Sequence, residues 1–387
     1  MNLTLNNKFK IIFLLIPLNY LLVFISFNFF EFHIDIGGYI LLLQILLIAY
    51  WFKNQRVLNI LLIIYVLLYS LFYNTGYPFS HKVRYMLIFA STISIIWLII
   101  KSRDQIVKIS LNNGFFEVFS ILFMGIFALS ILFVTPNSNE EDRLYLDGFI
   151  TAHQFSYYAA ILGYFWLSKK KFILGLIILV FGLLSGSRTG LILVLLAFLF
   201  SLDFKLNSKK LIILFFSAII ISSIAYISIN QLFRTQLDYY SDSFGSATPS
   251  FDEVSQQKFT SYRSIIFFNF FDYFQKNYLN VYSFIGNGPK SSLSFNEAKL
   301  GVALWMHNDI LDVLYCYGYI GLSLYVYFIY KLIRSTKSFF LFFFILISSI
   351  INGFMTYDVT QMLLIATIII VEKKNNIKSD TVLTINN

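Results

Sequence analysis

The stretch Lys169-Lys-Lys-Phe-Ile-Leu-Gly-Leu-Ile-Ile-Leu-Val-Phe-Gly-Leu-Leu-Ser-Gly186 decides the fold, because three lysines precede an apolar run without a single charge. Since an α-helix rises 1.5 Å per residue, runs of about 15 to 22 apolar residues suit the roughly 30 Å core of a bilayer. Such runs recur along the whole chain, which has 58% apolar and 13% charged residues and a mean hydropathy of +0.73. This composition cannot build a water-soluble surface. The sequence therefore predicts an all-α, polytopic integral membrane protein.

Alternating apolar runs and polar links predict about twelve transmembrane helices. The first run is longer than a typical signal-peptide core and no A-x-A site follows it, so we expect a retained span. The chain then divides into helices 1–9 (residues 1–232), a large loop (233–307), helices 10–12 (308–371) and a tail (372–387). The predicted spans are Ile11–Phe30, Ile36–Phe52, Val57–Tyr73, Tyr85–Ile100, Phe115–Thr135, Phe149–Ser168, Phe172–Gly186, Leu191–Phe204, Leu211–Leu232, Asn308–Tyr330, Phe339–Ile351 and Val359–Val371.

The basic residues predict the orientation of these helices. Most Lys and Arg residues occupy alternate links, so the positive-inside rule makes that side cytoplasmic, together with both termini and the tail. The net charge of +9 arises mainly in these links rather than on a basic face, so no nucleic-acid partner is predicted. The basic links are Lys8–Lys10, Lys53–Arg56, Lys101–Lys108, Lys169–Lys171, Lys205–Lys210, Lys331–Lys337 and Lys373–Lys378.

The large loop, Phe233 to His307, is predicted on the outer side. It is too polar to enter lipid but rich in aromatic residues, which indicates a folded loop. Ser241–Glu253 is rich in Ser, Pro and Asp and is expected to be flexible. Tyr262–Tyr278 predicts a helix at the membrane surface. Gly286-Asn-Gly-Pro-Lys290 predicts a turn.

Arginine does not follow the distribution of lysine. A guanidinium offers a planar fork of donors that suits bidentate recognition of phosphate or carboxylate. An excess of Arg on the outer side therefore predicts an anionic ligand there. Arg84 and Arg234 flank predicted spans, so they are expected to anchor those helices at the membrane surface rather than to bind a ligand. The outer residues are Arg84, Arg143, Arg188, Arg234 and Arg263, against Arg56, Arg103 and Arg334 inside.

Three outer arginines are candidates for ligand binding. Arg188 lies in a small-residue turn between two spans, where a guanidinium costs a few kcal/mol. The alternative for Arg188 is a snorkelling or helix-capping role. Arg143 could instead pair with the three preceding acids, and Arg263 could be a solvated loop charge.

His307 is the candidate catalytic residue, because it stands where the large loop meets the next span. Neutral imidazole can accept a proton from a hydroxyl. Asn308 and Asp312 are spaced i, i+4 on one helical face, and either they or Asp309 could orient the ring. The alternative is a surface His that caps the helix. His153, inside a predicted span, is expected to be an internal hydrogen-bonding group.

Several kinds of site are not indicated by the sequence. It has no Asp-x-Asp pair for a metal-bound nucleotide sugar and no phosphate loop of the G-x-x-x-x-G-K-[ST] type. Cys316 is the only cysteine, so neither an intramolecular disulfide nor a thiolate cluster can form. No metal and no cofactor are predicted.

Four ordered stretches give the chain a family resemblance. They are Arg143–Gly148, Ser185–Gly190, Arg263 with Ile285–Pro289, and His307–Leu311 with Gly318–Leu322. In this order and around this loop, the chain resembles the bacterial O-antigen polymerase and O-antigen ligase family of membrane glycosyltransferases. The resemblance covers about Phe115 to Tyr330.

The resemblance implies a GT-C-like fold in the bacterial inner membrane and transfer of a glycan from undecaprenyl pyrophosphate to a sugar hydroxyl on the periplasmic face. His307 would be the base, Arg188 and Arg263 with Arg143 would hold the pyrophosphate, and Asn308 and Asp312 would be secondary. No metal or nucleotide sugar would be needed. The implied partners are the lipid-linked oligosaccharide, membrane lipids and a polysaccharide chain-length regulator.

Three functional readings follow. A polymerase would extend a lipid-linked repeat unit, whereas a ligase would modify the lipid A core. Residue usage typical of AT-rich coding favours the polymerase. A flippase for lipid-linked sugars is the alternative from another class, but it needs neither the long external loop nor the His-Asn motif.

Overall fold

The described part of the protein is almost entirely helical. The computed structural model describes residues 4, 5, 7–15, 18, 22, 36–72, 79–108, 117, 120–125, 152–184, 188–201, 263–300, 306–351 and 353, and no strand occurs among them. The helices, with a 3-10 turn at Lys53–Gln55, are α1 (Ile36–Trp51), α2 (Arg56–Phe72), α3 (Phe79–Lys108), α4 (Ala152–Ser168), α5 (Phe172–Leu184), α6 (Arg188–Ser201), α7 (Arg263–Asn277), α8 (Val281–Ile285), α9 (Ser291–Leu300), α10 (Asp309–Thr336) and α11 (Phe339–Ile351).

Three stretches are long and apolar enough to cross a membrane: Lys53–Phe72, Lys82–Ser102 and Asp309–Thr336. Four shorter apolar helices accompany them within the described residues. The membrane class is therefore supported, while the count of twelve spans and the side of the large loop stay predictions. The predicted spans Leu211–Leu232 and Val359–Val371 lie outside the described residues, as do Ser241–Glu253, Arg143, Arg234 and the tail; Ile11–Phe30 and Phe115–Thr135 are described only in part.

Most predicted boundaries agree with the described helices. Phe339–Ile351 coincides with α11, and the predicted surface helix Tyr262–Tyr278 is α7 with one residue fewer at each end. The prediction of Tyr85–Ile100 was too short, because α3 extends from Phe79 to Lys108. Hydropathy marks only the part of a helix that is apolar, and a helix can continue into polar flanks.

Helices α4, α5 and α6 pack closely through glycines. A Cβ on Gly163 would overlap the side chain of Leu179, and one on Gly175 would lie 2.7 Å from Cγ of Leu167. Gly182 stands between Ala159 of α4 and Val194 of α6. Small residues at such contacts let backbones approach closely, which is how helices associate in lipid.

The ends of α2 and α3 that carry Arg56 and Lys101 lie away from Tyr317 of α10. Tyr69 near the end of α2 and Phe89 in α3 both contact the ring of Tyr317, at centroid distances of 6.1 and 4.6 Å. Arg56 and Lys101 are each a dozen or so residues distant along their helices, which is about 20 Å. The cytoplasmic side predicted from these basic residues is therefore the end opposite Tyr317.

Candidate functional site

Gly318 interrupts α10. Its φ of 65° and ψ of −168° are not helical, although the chain is helical on both sides. Such a break removes the intrahelical donors from the carbonyls just before it. The carbonyl of Tyr315 accepts instead from the backbone N–H of Asn287 at 2.9 Å, and that of Cys316 from Gly288 at 3.0 Å. The predicted turn at Gly286–Lys290 is therefore confirmed, and its backbone amides bind carbonyls of α10. We call residues 285–288 together with residues 315–318 the Gly318 junction.

The Gly318 junction needs glycine on both sides. Gly286 and Gly318 have φ values of 87° and 65°. A Cβ on Gly286 would overlap the carbonyl of Cys316, and a Cβ on Gly318 would overlap that of Phe284. Only glycine combines these dihedrals with so close an approach of two backbones.

The chain reverses direction at Gly318. The hydroxyl of Tyr325 donates to Oδ2 of Asp309 at 3.1 Å and lies 2.9 Å from Oγ of Ser349 in α11. In a straight helix, residues 309 and 325 would be about 24 Å apart, which is more than their side chains can bridge. Residues 306–317, which we call the arm, therefore fold back along the second half of α10. The predicted span Asn308–Tyr330 overlaps the candidate span Asp309–Thr336, but the sequence did not indicate the break at Gly318 inside it.

His307 and Asn308 form the tip of the arm. The side chain of Asn308 accepts from the N–H of Leu311 at 3.1 Å as the N-cap of α10, and donates to the carbonyl of Ile350 at 3.0 Å. The alternative in which His307 caps the helix is therefore wrong, because Asn308 does so. His307 is half-buried with φ 52°, a left-handed conformation that is uncommon outside glycine.

Asp312 is directed at α9 from inside the arm. Its carboxylate lies beside the hydroxyl of Ser292, and Ser292 also adjoins Cys316. Ser292 is fully buried, and the Oδ1 atom of Asp312 is buried as well. The two residues that were grouped by i, i+4 spacing thus have different surroundings: Asn308 binds α11, and Asp312 faces α9.

Helix α7 runs beside the arm in the same direction. The ring of Phe270 lies 6.2 Å from that of Tyr315, and the ring of Phe274 lies 5.8 Å from that of Tyr319. Ile266 is buried in the same apolar cluster as Met306 and Leu311. Continuing this register by seven residues from Phe270 places Arg263, the first residue of α7, opposite position 308.

The level of the start of α6 relative to the tip of the arm follows from the contacts that α4 and α6 make with α11. Phe200, near the end of α6, contacts the ring of Phe343 near the start of α11, at 5.9 Å. Tyr157 of α4 lies 5.7 Å from Phe344. Since α4 and α6 run antiparallel to α11, Arg188 at the start of the described part of α6 is level with the last turn of α11. That turn contains Ile350, to which Asn308 is bonded.

This level is set back from the Gly318 junction. Asp309 of the arm contacts Tyr325, which lies six residues, or about 10 Å, along α10 from Tyr319 beside the junction. We call the level of the starts of α6 and α7 and the tip of the arm the recessed layer. Extending the contacts above along each helix, we infer that the backbones of Arg188, Arg263 and His307 lie at similar depths; the side chains of Arg188 and Arg263 lie outside the described part of the structure.

The predicted residues Arg84 and His153 lie away from the tip of the arm in sequence and are each near the start of another helix. Arg84 is exposed near the start of α3, in line with an anchoring role, and His153 is near the start of α4, its side chain not being described. Sequence reasoning missed Tyr69, Tyr325 and Ser349, which hold the arm and the junction in place. In the sequence, these residues are marked only by having a polar group within an apolar span. Such residues are common in membrane helices, so this signal is weak.

Long apolar helices, glycine-mediated packing and a reversed helix whose tip carries His307 define a polytopic helical membrane protein. Residues 173–326 match the family model described as O-antigen ligase, and this range contains Arg188, Arg263 and His307. The match confirms that the chain resembles the O-antigen polymerase and ligase family. No curated protein and no solved structure matches the chain.

Proposed function

We propose that this protein is an O-antigen polymerase of the bacterial inner membrane. It transfers a glycan from undecaprenyl pyrophosphate to the sugar hydroxyl of another lipid-linked repeat unit on the periplasmic face. The observation that carries the proposal is the common depth of the starts of α6 and α7 and the tip of the arm, within the range that matches the family model. The proposal is that Arg188, Arg263 and His307 share one cleft at that depth.

The pyrophosphate of the donor is bound by Arg188 and Arg263, with Arg143 as a further ligand. Each guanidinium can donate two parallel hydrogen bonds to one phosphate.

His307 acts as the general base. It takes the proton of the acceptor hydroxyl while the acceptor oxygen forms a bond to the anomeric carbon and the bond from that carbon to the phosphate oxygen breaks. Undecaprenyl pyrophosphate leaves with the electron pair of the broken bond. The two ends of the arm are fixed, by Asn308 to Ile350 and by the Gly318 junction to the loop before α9, which keeps the imidazole in position.

Negative charge grows on the leaving pyrophosphate during this reaction. Fixed arginine donors stabilise that charge more in the transition state than in the ground state, which is the condition for catalysis. The energy comes from the activated donor bond, so the mechanism uses neither a metal nor a nucleotide sugar. We expect activity to be unchanged by EDTA.

A ligase is the second candidate, and the description of the matching family model favours it. The two activities use the same donor and differ in the acceptor. An electrophoretic ladder of surface polysaccharide from a deletion strain distinguishes them. A single repeat on lipid A core identifies a lost polymerase, whereas bare core with accumulated lipid-linked polymer identifies a lost ligase.

Purified protein in liposomes tests the enzymatic proposal directly. Undecaprenyl-pyrophosphate-linked repeat units are supplied on the accessible face, and the lipid-linked products are resolved by length. Products longer than one repeat support a polymerase. Movement of the repeat unit across the bilayer without any elongation would contradict the proposal and identify a flippase. Addition of a chain-length regulator is expected to narrow the distribution of products.

A further inference from the structure

Helix α7 has an exposed aromatic face as well as a buried one. Ile266 and Phe270 are buried against the arm. On the other side Phe267, Phe268 and Phe271 are 48, 68 and 50% exposed. The rings of Phe267 and Phe271 are stacked with their centroids 6.3 Å apart. Three adjoining exposed phenylalanines on a helix of 15 residues are unusual for a surface in water.

Apart from Arg263 at its first described position, α7 carries its charged residues in its second half. Residues Ser264–Phe271 contain no ionisable side chain. The second half carries Asp272 and Lys276, which form an ion pair at 2.9 Å with side chains 59 and 70% exposed. Among the described side chains, the exposed side of α7 therefore changes from apolar at Phe267–Phe271 to charged at Asp272–Lys276.

The apolar end of α7 is also the deeper end. Phe274 lies beside Tyr319, at the outer end of the second half of α10, whereas the start of α7 is opposite the tip of the arm. That tip is bonded to Ile350 and Asp309 contacts Tyr325, so it lies about 10 Å below Tyr319. The exposed phenylalanines of α7 therefore lie toward its deeper end, and the ion pair lies toward its shallower end.

Near Tyr319, α8 shows the residues expected at an interface. The ring of Phe284 lies 5.4 Å from that of Tyr319, whose hydroxyl donates to the carbonyl of Tyr278. Tyr278 and Tyr282 are both 52% exposed. Aromatic rings of this kind collect where hydrocarbon meets water.

From these observations we infer that α7 and the arm form a re-entrant pair that dips into the outer leaflet. Phe267, Phe268 and Phe271 contact the acyl chains of that leaflet, while Asp272 and Lys276 stay in water. The helix is therefore inclined into the membrane rather than laid on its surface. The inference rests on the outer position of the loop and is independent of glycosyl transfer.

The test is spin labelling of the full chain in lipid vesicles. Cys316 is buried, so the unaltered protein is the background control. A nitroxide is attached to Phe268→Cys, to Lys276→Cys at the charged end, and to Leu67→Cys on the exposed side of the α2 span. Its collision rates with oxygen, which partitions into lipid, and with a water-soluble nickel chelate are then measured. Phe271→Cys serves if Phe268→Cys does not fold.

We expect the oxygen-to-nickel ratio at position 268 to equal that at Leu67→Cys and to exceed that at Lys276→Cys severalfold. Equal ratios at 268 and 276 would overturn the inference, whether both labels report water or both report lipid. A label at 268 that is shielded from both reagents would overturn it too, since another protein surface would then cover the phenylalanines. The collision rates need no activity, so their outcome is separate from that of the transfer assay.

Discussion

The hydroxyl of Tyr69 donates to the carbonyl oxygen of Cys316 at 2.8 Å, so α2 holds α10 next to the glycine at which its chain reverses. The same hydroxyl also contacts the carbonyl of Ile285, on the loop side of the Gly318 junction. One side chain thus links a membrane helix to both backbones of the junction. Because Tyr69 is buried, water cannot replace its hydroxyl.

Tyr69→Phe is expected to destabilise the protein without changing its helical content. The substitution keeps the ring but removes the hydroxyl that bonds the carbonyls of Cys316 and Ile285, and a hydrogen bond of this kind contributes about 0.5–1.5 kcal/mol. Thermal unfolding in detergent measures the loss as a lower Tm. Tyr50→Phe is the matched control, because Tyr50 is 72% exposed. Equal Tm values for the two variants would contradict the role given to Tyr69.

Gly318→Ala is expected to disrupt the junction. The dihedrals of Gly318 belong to a region that is almost restricted to glycine, at a cost of the order of 1–3 kcal/mol for other residues, and the added Cβ would overlap the carbonyl of Phe284. We expect a lower yield of folded protein and loss of transfer. At Gly125 an added Cβ meets nothing within 4 Å, so Gly125→Ala should behave as wild type. A stable, active Gly318→Ala would refute the reversal.

Tyr325→Phe tests whether the arm positions the site. The substitution removes the hydroxyl that joins buried Asp309 to Ser349, which should loosen the tip of the arm. As a positioning residue, Tyr325 is expected to affect kcat more than the KM for the lipid-linked donor. Tyr39→Phe, at a tyrosine that is 69% exposed, is the control. An unchanged kcat in Tyr325→Phe, with a normal Tm, would show that this network does not position the base.

His307→Asn separates chemistry from backbone conformation. Asparagine adopts the left-handed region more readily than most residues, so it should preserve the backbone at φ 52° while removing the imidazole. We expect His307→Asn and His307→Ala to insert and fold normally but to form no polymer. A normal glycan ladder from His307→Asn would show that position 307 serves the fold alone.

Arg188→Lys is expected to impair transfer severely, because an ammonium group is a point charge and cannot replace a bidentate fork. The measurement is the length distribution of lipid-linked products in liposomes. Arg84→Lys is the control, since Arg84 is exposed near the start of α3 and is not among the proposed ligands of the pyrophosphate. Products of wild-type length from Arg188→Lys would count against pyrophosphate binding at this position.

Hydropathy predicted the helices well where each apolar run forms one helix, as at Phe339–Ile351. It missed the reversal at Gly318, because glycine is common in membrane helices and an apolar run has no signal for a change of direction. The turn at Gly286–Lys290 was predictable from its glycines, but its partner was not, since the carbonyls of Tyr315 and Cys316 become free only when α10 breaks. Similarly, the spacing of Asn308 and Asp312 could not reveal which neighbour each one meets.

The arm is attached at its two ends to different membrane helices: to α2 through Tyr69 and the junction, and to α11 through Asn308. These helices differ in length, with 17 residues in α2 and 13 in α11. A thicker or thinner bilayer shifts them by unequal amounts and so tilts the arm that carries the imidazole. Turnover in vesicles should therefore have an optimum acyl-chain length, set by the bilayer lipid around the protein rather than by the lipid that carries the substrate.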